Sequence, residues 1–126
     1  MSGDKLFVDT NIVLYLLGGD ETLATLLFEK ELYISFITQL ELLGFKELTK
    51  KEEKIVIEFI DQCKVIEINN IIKQDVIHLR KQYNLKLPDC IIIASSMYLN
   101  IPLITADADF KKVKELDLLY YEKTYK

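Results

Sequence analysis

Short apolar runs of strand length alternate with longer segments of helical periodicity along the whole chain. This alternation is typical of βαβ units, in which a parallel sheet is covered by helices on both faces. The predicted strands span residues 5–8, 32–34, 64–68, 101–105 and 118–121, and the predicted helices span residues 12–17, 21–31, 36–48, 52–63, 71–83, 88–99 and 109–116. Because 126 residues are too few for two independent cores, we predict a single α/β domain over residues 1–126.

The composition and the N-terminal sequence exclude several classes of protein. Half of the residues are apolar and 29% are charged, which is typical of a globular chain and not of a disordered or collagen-like one. The N-terminus lacks the pattern of a signal peptide, and no apolar stretch reaches the roughly 18 residues that span a membrane. Cys63 and Cys90 lie among apolar residues and are expected to be buried thiols. We therefore expect a cytoplasmic protein.

The charge balance limits how this chain handles phosphate groups. Sixteen basic and twenty acidic residues give a net charge of −4, and Arg80 is the only arginine. A patch of arginines that binds phosphates is therefore excluded. If the substrate is a nucleic acid, we expect a divalent metal ion to neutralise its phosphates.

Two aspartates lie close behind predicted strands. Asp9 directly follows the strand at 5–8, and Asp107 follows the strand at 101–105. Ligand sites in open parallel sheets gather at the carboxyl ends of the strands. Each aspartate also has an alternative explanation as the N-cap of the next helix, and capping is compatible with a chemical role.

Two further carboxylates belong to predicted helices. On a helical wheel of residues 36–48, Glu41 lies on the apolar face together with Phe45. A carboxylate on a buried face is costly unless it is paired or binds a metal, and the alternative is a salt bridge to a lysine. Asp89 lies in the first turn of the predicted helix 88–99, which is apolar all round and therefore expected to be buried. Its alternative role is a favourable interaction with the helix dipole.

The four carboxylates of Asp9, Glu41, Asp89 and Asp107 come from separate parts of the predicted fold. If they converge, they repel one another at neutral pH unless cations hold them together. Oxygen ligands of this kind suit Mg²⁺ or Mn²⁺, and the single histidine, His78, has polar neighbours, which disfavours zinc. A carboxylate site for Mg²⁺ is typical of phosphoryl chemistry.

Four short stretches carry a resemblance to a known family. They are Phe7-Val8-Asp9-Thr10-Asn11, Thr38-Gln39-Leu40-Glu41-Leu42, Leu87-Pro88-Asp89 and Ile104-Thr105-Ala106-Asp107-Ala108-Asp109-Phe110. In their order and spacing they resemble the PIN-domain nucleases, and most of all the VapC-type toxins of toxin–antitoxin pairs. The resemblance covers residues 5–121 and implies a PIN-like α/β fold with a central parallel sheet and helices on both faces.

The resemblance also implies an activity, which is the hydrolysis of RNA phosphodiester bonds by a water that Mg²⁺ or Mn²⁺ activates. The implied catalytic and metal-binding residues are Asp9, Glu41, Asp89 and Asp107. The implied supporting residues are Asn11, Thr105 and the auxiliary acid Asp109. The chain lacks the arginine that commonly stands between the two acids of the last motif, where it has Ala106 and Ala108 around Asp107, and we expect Lys111 and Lys112 to supply positive charge instead.

The partners that the resemblance implies are an RNA substrate, a cognate antitoxin and a second copy of the chain in a homodimer. An antitoxin segment would cover an apolar groove near the site. The candidate groove residues are Tyr15, Leu16, Phe28, Leu42, Leu43 and Phe45. For each of them packing in the core is the favoured alternative.

Three other functions remain open. A PIN-family nuclease of RNA processing or quality control would share the chemistry without being a toxin. A non-enzymatic, acidic metal-binding module of the receiver type would share the α/β class, but Asp9-Thr10-Asn11 lacks the acidic pair expected there after the first strand. The third is a binding module whose acidic site has lost its activity, and the presence of all four acids disfavours it.

Overall fold

The computed structural model describes residues 4–123, and within them five parallel strands form one central sheet. The strands are β1 (Lys5–Val8), β2 (Glu31–Ser35), β3 (Lys64–Ile66), β4 (Leu103–Thr105) and β5 (Leu118–Tyr120). They lie side by side in the order β3-β2-β1-β4-β5, and each neighbouring pair is parallel. The predicted α/β class with a central parallel sheet is confirmed.

Helices cover both faces of this sheet. The α-helices are α1 (Thr10–Leu17), α2 (Glu21–Leu27), α3 (Phe36–Leu43), α4 (Lys50–Gln62), α5 (Asn70–Gln82) and α6 (Leu87–Leu99), and a 3₁₀ helix spans Ala108–Lys112. On one face, α5 and α6 bury an apolar cluster against the sheet, and on the other face α1, α2 and α4 bury a second cluster. None of the helices between residues 4 and 123 has both the length and the apolar character to cross a membrane.

The central strand β1 shows why the sheet needs two layers of helices. Successive side chains of a strand point to opposite faces of the sheet. Accordingly, Phe7 belongs to the cluster under α5 and α6, whereas Leu6 and Val8 belong to the cluster under α1, α2 and α4. All three side chains are buried, as expected for a strand of a parallel sheet that is covered on both faces.

Helix α6 is the most deeply buried helix of the chain. Its seven consecutive residues from Cys90 to Ser96 are all buried, which confirms the prediction from its apolar composition. The hydroxyl groups of Ser95 and Ser96 donate to the carbonyl oxygens of Ile91 and Ile93 in the same helix, at 2.7 and 3.0 Å. These bonds satisfy two polar groups that would otherwise be costly inside the core.

Two helices are shorter than the sequence predicts. Helix α2 ends at Leu27 and not at residue 31, because the chain turns through Glu29, which has a positive φ of 64°. Helix α3 ends at Leu43 and not at residue 48, because it stops at Gly44. A Cβ atom at position 44 would lie 2.6 Å from the carbonyl oxygen of Leu40, so this tight ending requires glycine.

The remaining differences concern element ends and the two thiols. The predicted helix 109–116 is the 3₁₀ helix Ala108–Lys112, and the predicted strands 64–68 and 101–105 are each two residues shorter, as β3 and β4. Both cysteines are free thiols; Cys90 is buried as predicted, whereas Cys63 is only partly buried. Burial raises the pKa of Cys63 to about 11, so this thiol is not primed for reaction.

Candidate active site

The candidate site lies where the order of the strands reverses. From β1 the chain continues to β2 on one side, while β4 pairs with β1 on the other side. The carboxyl ends of β1 and β4 therefore flank the crevice in which open α/β sheets bind ligands. Asp9 follows β1 and Asp107 follows β4, as the sequence predicts. A backbone hydrogen bond of 3.0 Å from Asp9 N to Ile104 O joins the two strand ends.

Asp9 is the buried acid of the site, with 5% of its surface exposed. It is the N-cap of α1: its Oδ1 accepts a 2.7 Å hydrogen bond from Thr10 N, and its Oδ2 accepts one of 2.6 Å from Thr105 Oγ1. Burial raises the pKa of Asp9 to about 6, the two hydrogen bonds oppose this rise, and the negative charges of Asp107 and Glu41 add to it. The capping role and a position among other acids thus coexist.

Thr105 links Asp9 to Asp107. Its side chain is fully buried, and its Oγ1 donates to Asp9 while accepting a 3.0 Å bond from Asp107 N. Asp107 in turn caps the 3₁₀ helix, because its Oδ1 accepts from Asp109 N at 2.9 Å. Asn11 fixes the same loop from the side of α1, where its Oδ1 accepts a 3.3 Å bond from Ala106 N. Two of the three predicted supporting residues, Asn11 and Thr105, therefore hold the loop that carries Asp107.

Asp89 lies half-buried in the first turn of α6. Burial raises its pKa to about 6, and the charges of Asp9, Asp107 and, more weakly, Glu41 raise it further, against a lowering effect of Lys86. No hydrogen bond is among the causes of this shift. The carboxylates of Asp9, Asp107 and Glu41 therefore lie near enough to Asp89 to disfavour its ionised form.

Glu41 does not lie on the buried face of its helix, so that prediction is wrong. The buried residues of α3 are Thr38 and Leu42, whereas Glu41 is exposed and Phe45 is 58% exposed. The helical wheel of residues 36–48 placed Phe45 on the face of Glu41, but α3 ends before Phe45 and the periodicity ends with it. Within the described range its side-chain partner is Thr10, whose Oγ1 donates to Glu41 Oε1 at 2.7 Å, and not the lysine of a salt bridge.

Asp109 and the two nearby lysines lie on the rim of the site. The carboxylate of Asp109 is exposed and forms an ion pair of 3.5 Å with Lys112, and only its backbone N–H contacts Asp107. Lys112 also contacts the carbonyl oxygen of Asn84, and Lys111 Nζ lies 3.8 Å from the centre of the Tyr120 ring. Both lysines therefore have partners other than the four acids.

Sequence reasoning missed Thr10 and Thr38 as residues of the site. Their hydroxyl oxygens lie 2.9 Å apart, and the hydroxyl of Thr10 also reaches Glu41. The sequence carried a signal for Thr38, because side chains three positions apart are neighbours on the surface of a helix. Thr10 lies between Asp9 and Asn11, two residues that the sequence did identify.

The four acids fit a hard divalent cation in their chemistry, since Mg²⁺ and Mn²⁺ prefer carboxylate oxygens. Over residues 4–123, however, no three Asp, Glu, His or Cys side chains lie close enough together to hold a metal ion as they stand. Like charges repel, and three of the four carboxylates each have a hydrogen-bond donor of their own: Thr105 donates to Asp9, Thr10 donates to Glu41, and the backbone N–H of Asp109 donates to Asp107. The arrangement is thus one of neighbouring but separated carboxylates around the crevice.

Comparisons with known proteins agree with this architecture. The model of the PIN domain family matches residues 6–116. The chain is similar to a toxin–antitoxin complex from Klebsiella pneumoniae, with 29% identity, a TM-score of 0.81 and coverage of 94% of this chain and 99% of that chain. It is similar to VapBC-1 from nontypeable Haemophilus influenzae, with 25% identity, a TM-score of 0.75 and the same coverage of 94% and 99%.

A third structure, VapBC2 from Rickettsia felis bound to a DNA fragment from their promoter, shares the fold at 21% identity, with a TM-score of 0.76 and coverage of 94% of this chain and 99% of that chain. No curated protein gives a significant match. The family match includes Asp9, Glu41, Asp89 and Asp107, together with β2, β3, β4 and all of β1 except Lys5. The chain belongs to the PIN domain family.

Proposed function

We propose that this chain is a metal-dependent endoribonuclease and the toxin of a type II toxin–antitoxin pair. The observation that supports the nuclease best is the position of Asp9, Glu41, Asp89 and Asp107 around the crevice at the switch point of the sheet, where burial raises the pKa of Asp9 and Asp89 and the charges of nearby carboxylates raise it further. A group of acids that destabilise one another in this way favours a cation.

The proposed catalytic and metal-binding residues are these four acids. A bound Mg²⁺ or Mn²⁺ would supply a Lewis acid that lowers the pKa of water and neutralises charge on the phosphate. Thr105 and Asn11 hold Asp9 and the loop of Asp107 in place. Without a cation the buried carboxylate of Asp9 and the half-buried carboxylate of Asp89 each have a pKa of about 6, and a bound cation would hold both groups in the ionised form. Asp109 is an auxiliary acid on the rim.

The strand order bears on one alternative to this function. A receiver-type domain has the strand order 2-1-3-4-5, whereas β1 is flanked by β2 and β4 here. The receiver-type module is therefore set aside. A PIN-family nuclease of RNA processing or quality control shares all of the proposed chemistry and stays the second candidate.

The purified chain is expected to cleave RNA in Mn²⁺ or Mg²⁺ and to lose this activity in EDTA. Without a cation, four carboxylates face the phosphates of the substrate, and the chain has a net charge of −4. The measurement is gel electrophoresis of structured and single-stranded RNA after incubation with increasing metal concentrations. Cleavage that persists in EDTA would contradict metal dependence, and the lack of cleavage in any metal would contradict the nuclease itself.

The toxin role is supported by the solved structures. The similar proteins from Klebsiella pneumoniae and Haemophilus influenzae are a toxin–antitoxin complex and a VapBC-1 complex. The surface also offers apolar groups to a partner: Phe28 and Phe45 are 73% and 58% exposed, whereas Leu42 is buried and packs in the core. Tyr15, Leu16 and Leu43 are partly buried and pack against the core as well. We propose a cytoplasmic homodimer of single domains over residues 1–126 that a cognate antitoxin inhibits.

Induced expression of the wild-type chain in a bacterium is expected to arrest growth, and co-expression of the proposed cognate antitoxin is expected to restore growth. The reason is that a toxin cleaves an RNA that the cell needs and its antitoxin covers the site. The measurement is the growth curve after induction, with Asp61→Asn, on the exposed face of α4, as a matched control that should still arrest growth. RNA cleavage in vitro without growth arrest would favour the RNA-processing nuclease.

A further inference from the structure

Thr10 is the one residue that donates hydrogen bonds to two of the four acids among the described residues. Its backbone N–H donates to Asp9 Oδ1 at 2.7 Å, and its hydroxyl donates to Glu41 Oε1 at 2.7 Å. Because Asp9 ends β1 and Glu41 belongs to α3, these two bonds join acids from different elements. We propose that Thr10 is a positioning residue that holds the Glu41 carboxylate on the side of Asp9, where both acids can bind a divalent cation. The proposal rests on the proposed function.

The chemistry of the groups decides which oxygen donates in the hydrogen bonds that join Thr38, Thr10 and Glu41. A hydroxyl has one proton, and an ionised carboxylate only accepts. The proton of Thr10 Oγ1 is therefore directed to Glu41, so Thr10 accepts the proton of Thr38 Oγ1 at 2.9 Å. Thr38 thus keeps the hydroxyl proton of Thr10 directed toward Glu41. We call this chain of two hydrogen bonds, from Thr38 through Thr10 to Glu41, the relay.

Other hydroxyl groups of the chain argue that the relay does more than give the buried Thr38 a hydrogen-bond partner. Ser95, Ser96 and Thr25 donate to carbonyl oxygens of their own helices. Thr38 is fully buried in α3 and had the same option. It contacts Thr10 across the interface of α1 and α3 instead.

Glu41 needs such a contact because it is exposed and its side chain is long. Its helix ends two residues later, at Leu43, and the described residues offer it no ion pair. A free glutamate side chain samples many rotamers, which a metal site would have to order on binding. The hydroxyl of Thr10 orders Glu41 in advance, in the manner of the outer partners that orient metal ligands in proteins.

The test measures Mn²⁺ binding by calorimetry in the absence of RNA, so that its readout is independent of activity. Thr10→Val keeps the shape of the side chain and removes the hydroxyl, and we expect it to weaken Mn²⁺ binding about tenfold. Thr10→Ser restores the hydroxyl and should bind within about twofold of the wild type. Thr38→Val, which leaves Thr10 in place, is expected to give a smaller loss than Thr10→Val.

The matched control is Thr25→Val, which removes a hydroxyl from α2 away from the four acids and should leave Mn²⁺ binding unchanged. Thermal unfolding in EDTA checks that each variant is folded, and Thr38→Val tests the relay if Thr10→Val does not fold. The positioning role alone is overturned if Thr10→Val binds Mn²⁺ as tightly as the wild type. It is also overturned if Thr10→Val and Thr10→Ser lose the same Mn²⁺ affinity. The lack of Mn²⁺ binding by the wild-type chain would overturn the proposed function and the relay together.

Discussion

The Asp89→Asn chain is expected to cleave RNA about a thousandfold more slowly than the wild type and to fold at least as stably. The activity falls because the amide replaces a half-buried carboxylate that shares the environment of Asp9 and Asp107. The fold does not suffer, because burial and the neighbouring charges both disfavour the ionised form of Asp89. The measurements are single-turnover cleavage in saturating Mn²⁺ and urea unfolding in EDTA.

The matched control for Asp89→Asn is Asp61→Asn, which makes the same chemical change on the exposed face of α4. It should leave the cleavage rate within about threefold of the wild type. If Asp89→Asn cleaves RNA as close to the wild-type rate as this control, Asp89 does not belong to the site. A loss of activity together with a clear loss of stability would instead show that Asp89 supports the fold.

The metal-free protein is expected to be more stable at pH 5 than at pH 7, which is the reverse of the usual behaviour of a protein with paired carboxylates. The pKa of Asp9 and that of Asp89 are about 6 in the folded chain, above the ordinary value of 3.8. Between these values the folded state binds more protons than the unfolded state, so the free energy of unfolding falls as the pH rises. The full loss of folding stability that the ionised Asp9 and Asp89 cause is present above pH 7, and it decreases as the pH falls through 6.

The size of this effect follows mainly from Asp9, which is nearly fully buried. At about 1.4 kcal/mol per pKa unit, the difference between 3.8 and about 6 corresponds to a ceiling of roughly 3 kcal/mol for this residue. Asp89 is half-buried and interacts with Asp9, so its share is smaller and does not simply add. We therefore expect a gain of about 2 kcal/mol from pH 7 to pH 5.

The pH dependence is measured by urea unfolding in EDTA at both pH values. Asp9→Asn is expected to flatten it, because asparagine still accepts the capping hydrogen bond of α1 and carries no charge. Saturating Mn²⁺ should raise the stability at pH 7 more than at pH 5, since the cation competes with protons for the same groups. A wild-type chain that is more stable at pH 7 in EDTA would show that burial and the neighbouring charges do not disfavour the ionised forms of Asp9 and Asp89.

These two predictions have the same physical origin. Burial and the nearby carboxylates disfavour the ionised forms of Asp9 and Asp89 in the folded chain, and the same surroundings would favour a divalent cation in the crevice. Stability and chemistry therefore oppose each other at this site, as is common where a protein binds a charged ligand. Stabilising substitutions at these acids should be found among the inactive variants.

The sequence by itself identified the two acids at strand ends and the buried helix, because these depend on local patterns. Asp9 and Asp107 directly follow apolar runs, and parallel strands place their carboxyl ends at one edge of the sheet. Helix α6 is apolar at nearly every position from Cys90 on, which permits only a buried location. The four motifs and their order also indicated the family that the match over residues 6–116 shows.

The way in which the acids are held follows from how the elements dock against one another. The burial of Glu41 was predicted wrongly, because a helical wheel assumes one continuous helix, and α3 ends where the chain must turn at Gly44. The link from Thr38 through Thr10 to Glu41 joins residues 28 and 31 positions apart in the sequence. Periodicity reports which face of an element is apolar, whereas a hydrogen bond between elements depends on how they dock, and docking is set by the packing of the whole core.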